Sequence, residues 1–98
     1  MPKYVFKLFV TGQNSRAIRA ITNLKKFGDK ELKGDYQLIV VDVLEEPHIA
    51  EANKILATPT LIKESPAPMR RIIGDLSNID FDMLGLHHFY SQEEPGYE

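Results

Sequence analysis

Cysteine is absent from the 98 residues, which excludes disulfides, zinc held by thiolates and thiol redox chemistry together. No apolar stretch approaches the roughly 20 residues of a membrane span. The chain opens on a strand-like run, without the charged and apolar regions of a signal peptide, so a cytoplasmic protein with no membrane contact is expected. A basic surplus is missing as well. Formal net charge is -2, whereas domains that track phosphate backbones carry excess Lys and Arg, so nucleic acid is not the expected partner. The charge is uneven: residues 1–64 hold ten Lys/Arg against eight Asp/Glu, and residues 65–98 hold two against six. Repeats, linkers, catalytic triads, P-loops and dinucleotide fingerprints are all lacking, and the pattern implies no catalytic residue and no cofactor.

What is present fits one α/β domain. A hydrophobic content of 43% over this length supports a single modest core, expected over residues 1–90, with 91–98 as a mobile acidic tail. Lys3 to Val10 (KYVFKLFV) is apolar on both parities, as a strand covered on both faces should be. Thr11 to Ser15 is turn chemistry, with Asn14 or Ser15 placed to cap a helix. In that helix Ala17, Ile18, Ala20, Ile21, Leu24 and Phe27 recur at helical spacing, and Gly28 or Gly34 supplies the stop. Tyr36 to Leu44 is a second double-sided strand, completing a βαβ unit with parallel strands. Pro47 opens a short helix through Ile55, with Ile49, Ala52 and Ile55 inward. Thr60–Lys63 and Met69–Ile73 read as two strands around Ser65-Pro66-Ala67-Pro68. A last helix follows from Ile79 to His88, with Phe81, Leu84, Leu86, His88 and Phe89 inward. The order is βαβαββα, that of thioredoxin-like domains.

A thioredoxin-like enzyme needs a thiolate at the start of its first helix, where the dipole lowers the thiol pKa. Gln13-Asn14-Ser15-Arg16 stands there instead, so that chemistry is closed. Ser15 and the Thr58-Pro59-Thr60 loop leave one alternative function, a cysteine-free module that binds glutathione or a peptide. A helix cap and a structural proline are the plainer roles for the same residues. Arg70 and Arg71, with Lys63 and Lys54, have the chemistry to hold phosphate. Neighbours on a strand face opposite ways, however, which favours solvated or inter-subunit salt bridges. His87 and His88 with distant His48 lack the one-turn spacing of a chelating pair. Asp75, Asp80 and Asp82 suit helix capping.

The run Lys54-Ile55-Leu56-Ala57-Thr58-Pro59-Thr60-Leu61, followed by Arg70-Arg71-Ile72-Ile73-Gly74-Asp75-Leu76-Ser77-Asn78, resembles the KaiB family of small bacterial clock-associated proteins. Lys7-Leu8, Gly12, Ser15 and Val41-Asp42-Val43-Leu44 ahead of Pro47 add to the resemblance, which spans Tyr4 to Leu86. It implies a non-enzymatic regulatory protein that binds a KaiC-type hexameric ATPase, with KaiA-like or histidine-kinase components as further partners. Circadian timing or a related stress or signalling system is the implied setting. It also implies two folds, a tetrameric ground fold ordered βαββααβ and the thioredoxin-like monomer, with a dimer as another homo-oligomer. In a crystal the ground fold is expected, since concentration favours association. By the same resemblance Pro59, Pro66, Pro68 and Gly85 bear on the change of fold, Arg19 and Lys54 face the partner, and Arg70 and Arg71 stabilise the oligomer or the hairpin. Alanine at Gly85 is expected to favour helix, and with it the thioredoxin-like form. Departures from the family pattern are His87 in place of Asp, Ala67 within a proline run, and Asp80, Phe81 and Asp82 where a basic pattern is usual.

Overall fold

A computed structural model describes residues 2–86 of the protein. His87, His88, Phe89 and the acidic tail lie outside the described residues. The elements are β1 (Tyr4–Val10), α1 (Ser15–Glu31), β2 (Tyr36–Asp42), α2 (Pro47–Ala52), β3 (Thr60–Ser65) and β4 (Arg70–Ile73). They form one sheet in the order β2-β1-β3-β4. β1 runs parallel to β2 and antiparallel to β3, and β4 pairs antiparallel with β3. This is the thioredoxin-like arrangement, one of the two expected; the preference for the ground fold concerned a crystal. Mass action favours the tetramer only through association, and a single chain gains nothing from that term.

The double-sided reading of β1 holds because the strand is central. Tyr4, Phe6, Leu8 and Val10 point to one face, where they meet Ala17, Ala20, Leu24 and Phe27 of α1 together with Leu61, Leu76, Leu84 and Leu86. Phe9 points to the other face and packs with Val41 and Ile62. Strand alternation thus builds two core layers from one run of residues. Asn14 is the N-cap of α1: its Oδ1 accepts the Ala17 N–H at 2.9 Å, leaving Ser15 as the first helical residue. The helix does not stop at Gly28. It continues to Glu31, and the chain turns at Lys33 and Gly34, with φ of 55° and 76°. Gly28 serves packing instead, since a Cβ there would overlap the Tyr36 ring. That ring also lies edge-on to Phe6 at 6.3 Å, and its hydroxyl donates to Asp29 Oδ1 at 3.2 Å.

Apolar positions on α1, β2 and α2 depart from the sequence reading: the stretch read as a double-sided second strand ends at Asp42, buries only Val41, and leaves Val40 and Leu44 exposed. Ile18 is 56% exposed, because β2 is an edge strand and the sheet ends before covering that side of α1. Neither Ile49 nor Ala52 of α2 is buried; only Ile55, beyond the helix end, packs against the second core layer. The expected last helix is a single turn among the described residues. Asp80 Oδ1 caps it by accepting the Met83 N–H at 2.9 Å. Five residues later Gly85 closes it at φ 72°, with Leu86 N–H bonded to Phe81 O at 2.9 Å and Gly85 N–H to Asp82 O at 3.0 Å. Start and stop signals so close together leave no room for a second turn.

The β3–β4 hairpin turns at Ser65-Pro66-Ala67-Pro68 as read, with cis peptides before Pro59, Pro66 and Pro68. Lys63 is the unexpected member. It is fully buried on the α1 face of the sheet, opposite Phe6 and Arg70, with Nζ donating to Pro66 O at 2.7 Å. Burial holds its amine below the usual lysine range, and the nearby Arg70 guanidinium pushes the same way.

Candidate functional site

The carboxyl ends of β1 and β2 and the start of β3 meet at one end of the sheet, the edge where open α/β sheets receive ligands. Three loops are tied together there. Asp42 Oδ1 accepts the N–H groups of Gly12 at 3.1 Å and Leu44 at 2.9 Å, joining the loops that leave β1 and β2. The hydroxyls of Thr11 and Thr58 share a hydrogen bond of 2.7 Å, adding the loop that enters β3. Asn14 Nδ2 donates to Thr11 O, so the cap of α1 belongs to the same network. On this frame two large apolar side chains face outward, Leu44 at 67% and Leu56 at 96% exposure. Beside Leu56 lies a cleft of about 340 Å³ lined by Thr11, Val43, Pro47, Ala50, Ile55 and Leu56, among others.

Lys54 is set by how α2 ends. Ile55 N–H bonds Ala50 O and Lys54 N–H bonds Glu51 O, both at 3.0 Å, the paired reverse bonds of a Schellman motif. Lys54 occupies the position that glycine usually fills, at φ 55°. A left-handed backbone costs an L residue on the order of 1 kcal/mol. The Arg71 guanidinium reaches across from β4 to the last carbonyls of this turn, donating to Asn53 O at 2.9 Å and Lys54 O at 3.4 Å.

The two expected partner-facing residues are not brought together. Arg19 stands on α1, while Lys54 follows α2 beside the other core layer. The Arg19 guanidinium pairs with Asp75 Oδ2 at 3.3 Å, and Asn23 Nδ2 donates to Asp75 O at 2.9 Å, so this side of α1 holds the 74–78 turn. Hydrogen bonds from Ser77, backbone first, hold the Asp75 carboxyl below the usual range, with Arg19 adding to them. Arg70 and Arg71 do face opposite ways: Arg71 shares the side of Ile62, Arg70 that of Lys63. Pro68, Arg70 and Gly85 converge, since a Cβ on Gly85 would stand 3.1 Å from Pro68 Cγ and 3.2 Å from Arg70 Nε. Gly85 is not helical, so alanine there opposes this local geometry, which corrects the expectation drawn for it. Pro59 lines a second cleft with Thr11, Asn14, Arg16 and Thr58, but Ser15 is not among the residues that line it.

Sequence reasoning missed Asp42, Leu56 and the reach of Arg71. Asp42 had a readable signal: an Asp whose side chain accepts the N–H two residues on is a turn former, and it ends β2 two residues before Leu44.

A KaiB domain family model matches residues 7–88. The circadian clock oscillator protein KaiB of Thermostichus vulcanus is 51% identical over 89 residues, covering 91% of this chain and 82% of that protein. Its namesake in Nostoc punctiforme is 46% identical over 93 residues, covering 95% and 89%. Among solved structures, the N-terminal domain of Synechococcus elongatus SasA superposes with a TM-score of 0.71 at 20% identity, over 94% of this chain and 87% of that one. Mitochondrial thioredoxin 3 from Saccharomyces cerevisiae gives 0.61 at 21%, over 76% and 70%. At such identities these two show the fold alone. The family match spans both the βαβ unit and the proline-bearing hairpin, and with it the chain belongs to the KaiB family.

Proposed function

We propose that this protein is a regulatory binding protein without catalytic chemistry, which docks on a KaiC-type hexameric ATPase through the loop end of its sheet, in circadian timing or a related stress or signalling system. The observation that carries the reading is Leu56, 96% exposed and two residues after a lysine held in a glycine position. A large apolar side chain left in water, rimmed by polar groups, marks an interaction site. Lys54 in a left-handed backbone serves no local need that glycine would not meet better, and strain of that kind accompanies function. The side chain supplies a cation at the rim of the apolar contact, the usual layout of an interface.

The binding form is the thioredoxin-like one, and the C-terminal half reaches it from a tetrameric ground fold. A ring that binds only this form draws the population toward it by its differential affinity. KaiA-like or histidine-kinase components then compete for, or join, the assembled face.

The test is titration of the full chain with a KaiC-type ring, read by amide exchange. Leu56→Glu and Lys54→Glu each weaken ring binding by about tenfold or more, as loss of interface anchors does, with the unfolding midpoint unmoved. Unaltered affinity in both variants overturns the docking face. An identical exchange pattern over residues 54–86 in free and bound protein overturns the change of fold.

A further inference from the structure

Arg71 lies on β4, an edge strand whose residues are mostly exposed, and its two terminal nitrogens are spent on main-chain oxygens of another element. The oxygens belong to Asn53 and Lys54, the residues that close α2. A short helix ends with carbonyls that have no partner within it. Here the six-residue α2 buries none of its residues, so packing does little to hold that end. A guanidinium is suited to the position twice over, by its charge toward the negative end of the peptide dipoles and by its fork of donors. Strand register decides whether it arrives: Arg71 stands opposite Ile62 and thus on the α2 side, and a slip of one residue would present Arg70 or Ile72 instead.

We infer that Arg71 is a positioning residue for the partner-binding loop, holding Lys54 in its left-handed backbone so that Lys54 and Leu56 are presented only when β4 is paired in this register. The inference rests on the docking reading above, and it adds a regulation to it: the loop that meets the partner is assembled by the hairpin of the second half. A partner that selects this loop thereby selects the hairpin.

The experiment uses the full chain with Arg71→Gln, Arg71→Lys, Lys54→Gly and the double variant Arg71→Gln/Lys54→Gly. Amide exchange is followed at residues 53–58, with Phe6 and Leu8 of the central strand as internal reference, and ring binding is measured separately. Arg71→Gln speeds exchange at 53–56 by about tenfold, with the reference amides unchanged, and weakens ring binding by a similar factor. Arg71→Lys, a point charge without the fork, recovers only part of the protection. In the double variant exchange returns to the level of Lys54→Gly, because glycine takes the left-handed backbone unaided. A merely structural arginine predicts none of this rescue. Unchanged exchange at 53–56 in Arg71→Gln overturns the positioning role whatever the ring does. Faster exchange with undiminished ring affinity upholds the positioning role and overturns the docking reading.

Discussion

The first 42 residues and the segment from Val43 to Leu86 are held together by different means. In the first, β1 buries five of its seven residues, α1 carries a side-chain cap, and the β1–β2 pairing is continuous over seven residues. In the second, α2 has no buried residue and no side-chain cap, and β4 has four residues, none of them buried. β3 and the leucines at 76, 84 and 86 join the core, whereas α2 and the 74–78 turn are held by side chains bonded to main chain: Arg71 to Asn53 O and Asn23 to Asp75 O. Apolar burial scales with the area removed from water, whereas a net contribution near 1 kcal/mol per hydrogen bond is easily exchanged for another. The lesson is that one small domain joins elements fixed by a shared core to two outer elements, α2 and β4, fixed by replaceable links.

The contrast breaks most visibly at Phe6. Phe6→Ala, at a side chain with no exposure, should cost about 3–5 kcal/mol in urea unfolding, while Ile73→Ser on 63% exposed β4 should stay within about 0.5 kcal/mol. Equal losses would abolish the distinction. Next in size is Gly28→Ala, which drives a methyl into the Tyr36 ring; about 1–3 kcal/mol is expected for such overpacking, read by the same transition.

Lys63→Met sharpens the comparison from the other side, because it should stabilise the chain by about 1–2 kcal/mol at neutral pH once the buried cation is gone. The wild-type amine titrates below its unfolded value of about 10.4, so the unfolded chain binds the proton more tightly. Its destabilisation is complete below the folded pKa and lifts as pH rises toward 10.4, giving wild-type stability a positive slope that the variant lacks. Tyr36 acts with opposite sign, since burial and Asp29 raise its phenol above 10, so the slope is to be measured below pH 10. A flat wild-type profile there would contradict the burial of Lys63.

Asn14→Ala removes the cap of α1 and should cost about 1 kcal/mol, lowering helical circular dichroism only through the folded fraction. Smallest is Arg19→Ala. Its ion pair with Asp75 is half exposed, and exposed pairs add little, so the midpoint should hold while exchange at Ser77 quickens. A large fall in stability would mean that the two halves are welded at α1 rather than pinned.

Much of the frame was legible. The double-sided run at β1, the turn and cap at Thr11 to Ser15, and the proline hairpin each rest on local chemistry, and each is found. Ile18, Ile49 and Ala52 were misread because spacing shows an apolar stripe but not whether a neighbour covers it. The turn at 80–85 was overextended because Phe81, Leu84 and Leu86 fit a longer helix, while Asp80 and Gly85 bracket only one turn. Which of the two folds implied by the resemblance the chain takes was not legible, since both fit one binary pattern. Of the candidate site, Lys54 came from the family resemblance. Arg71 acts through backbone oxygens 17 and 18 residues away, and a carbonyl leaves no mark in the sequence. Lys63 was read as surface because an unpaired lysine seldom lies elsewhere.

The contact of Tyr36 with Gly28 and Phe6 has a spectroscopic consequence. The chain has four tyrosines and no tryptophan. Tyr4 and Tyr36 are register partners across β1 and β2, and residues 37–86 contain no other. Within the described residues, ultraviolet emission is therefore a gauge of one strand pair, silent on the hairpin and on the loop that carries Leu56. A single tryptophan in place of the exposed Leu56 would give that loop its own colour, legible against the tyrosine background.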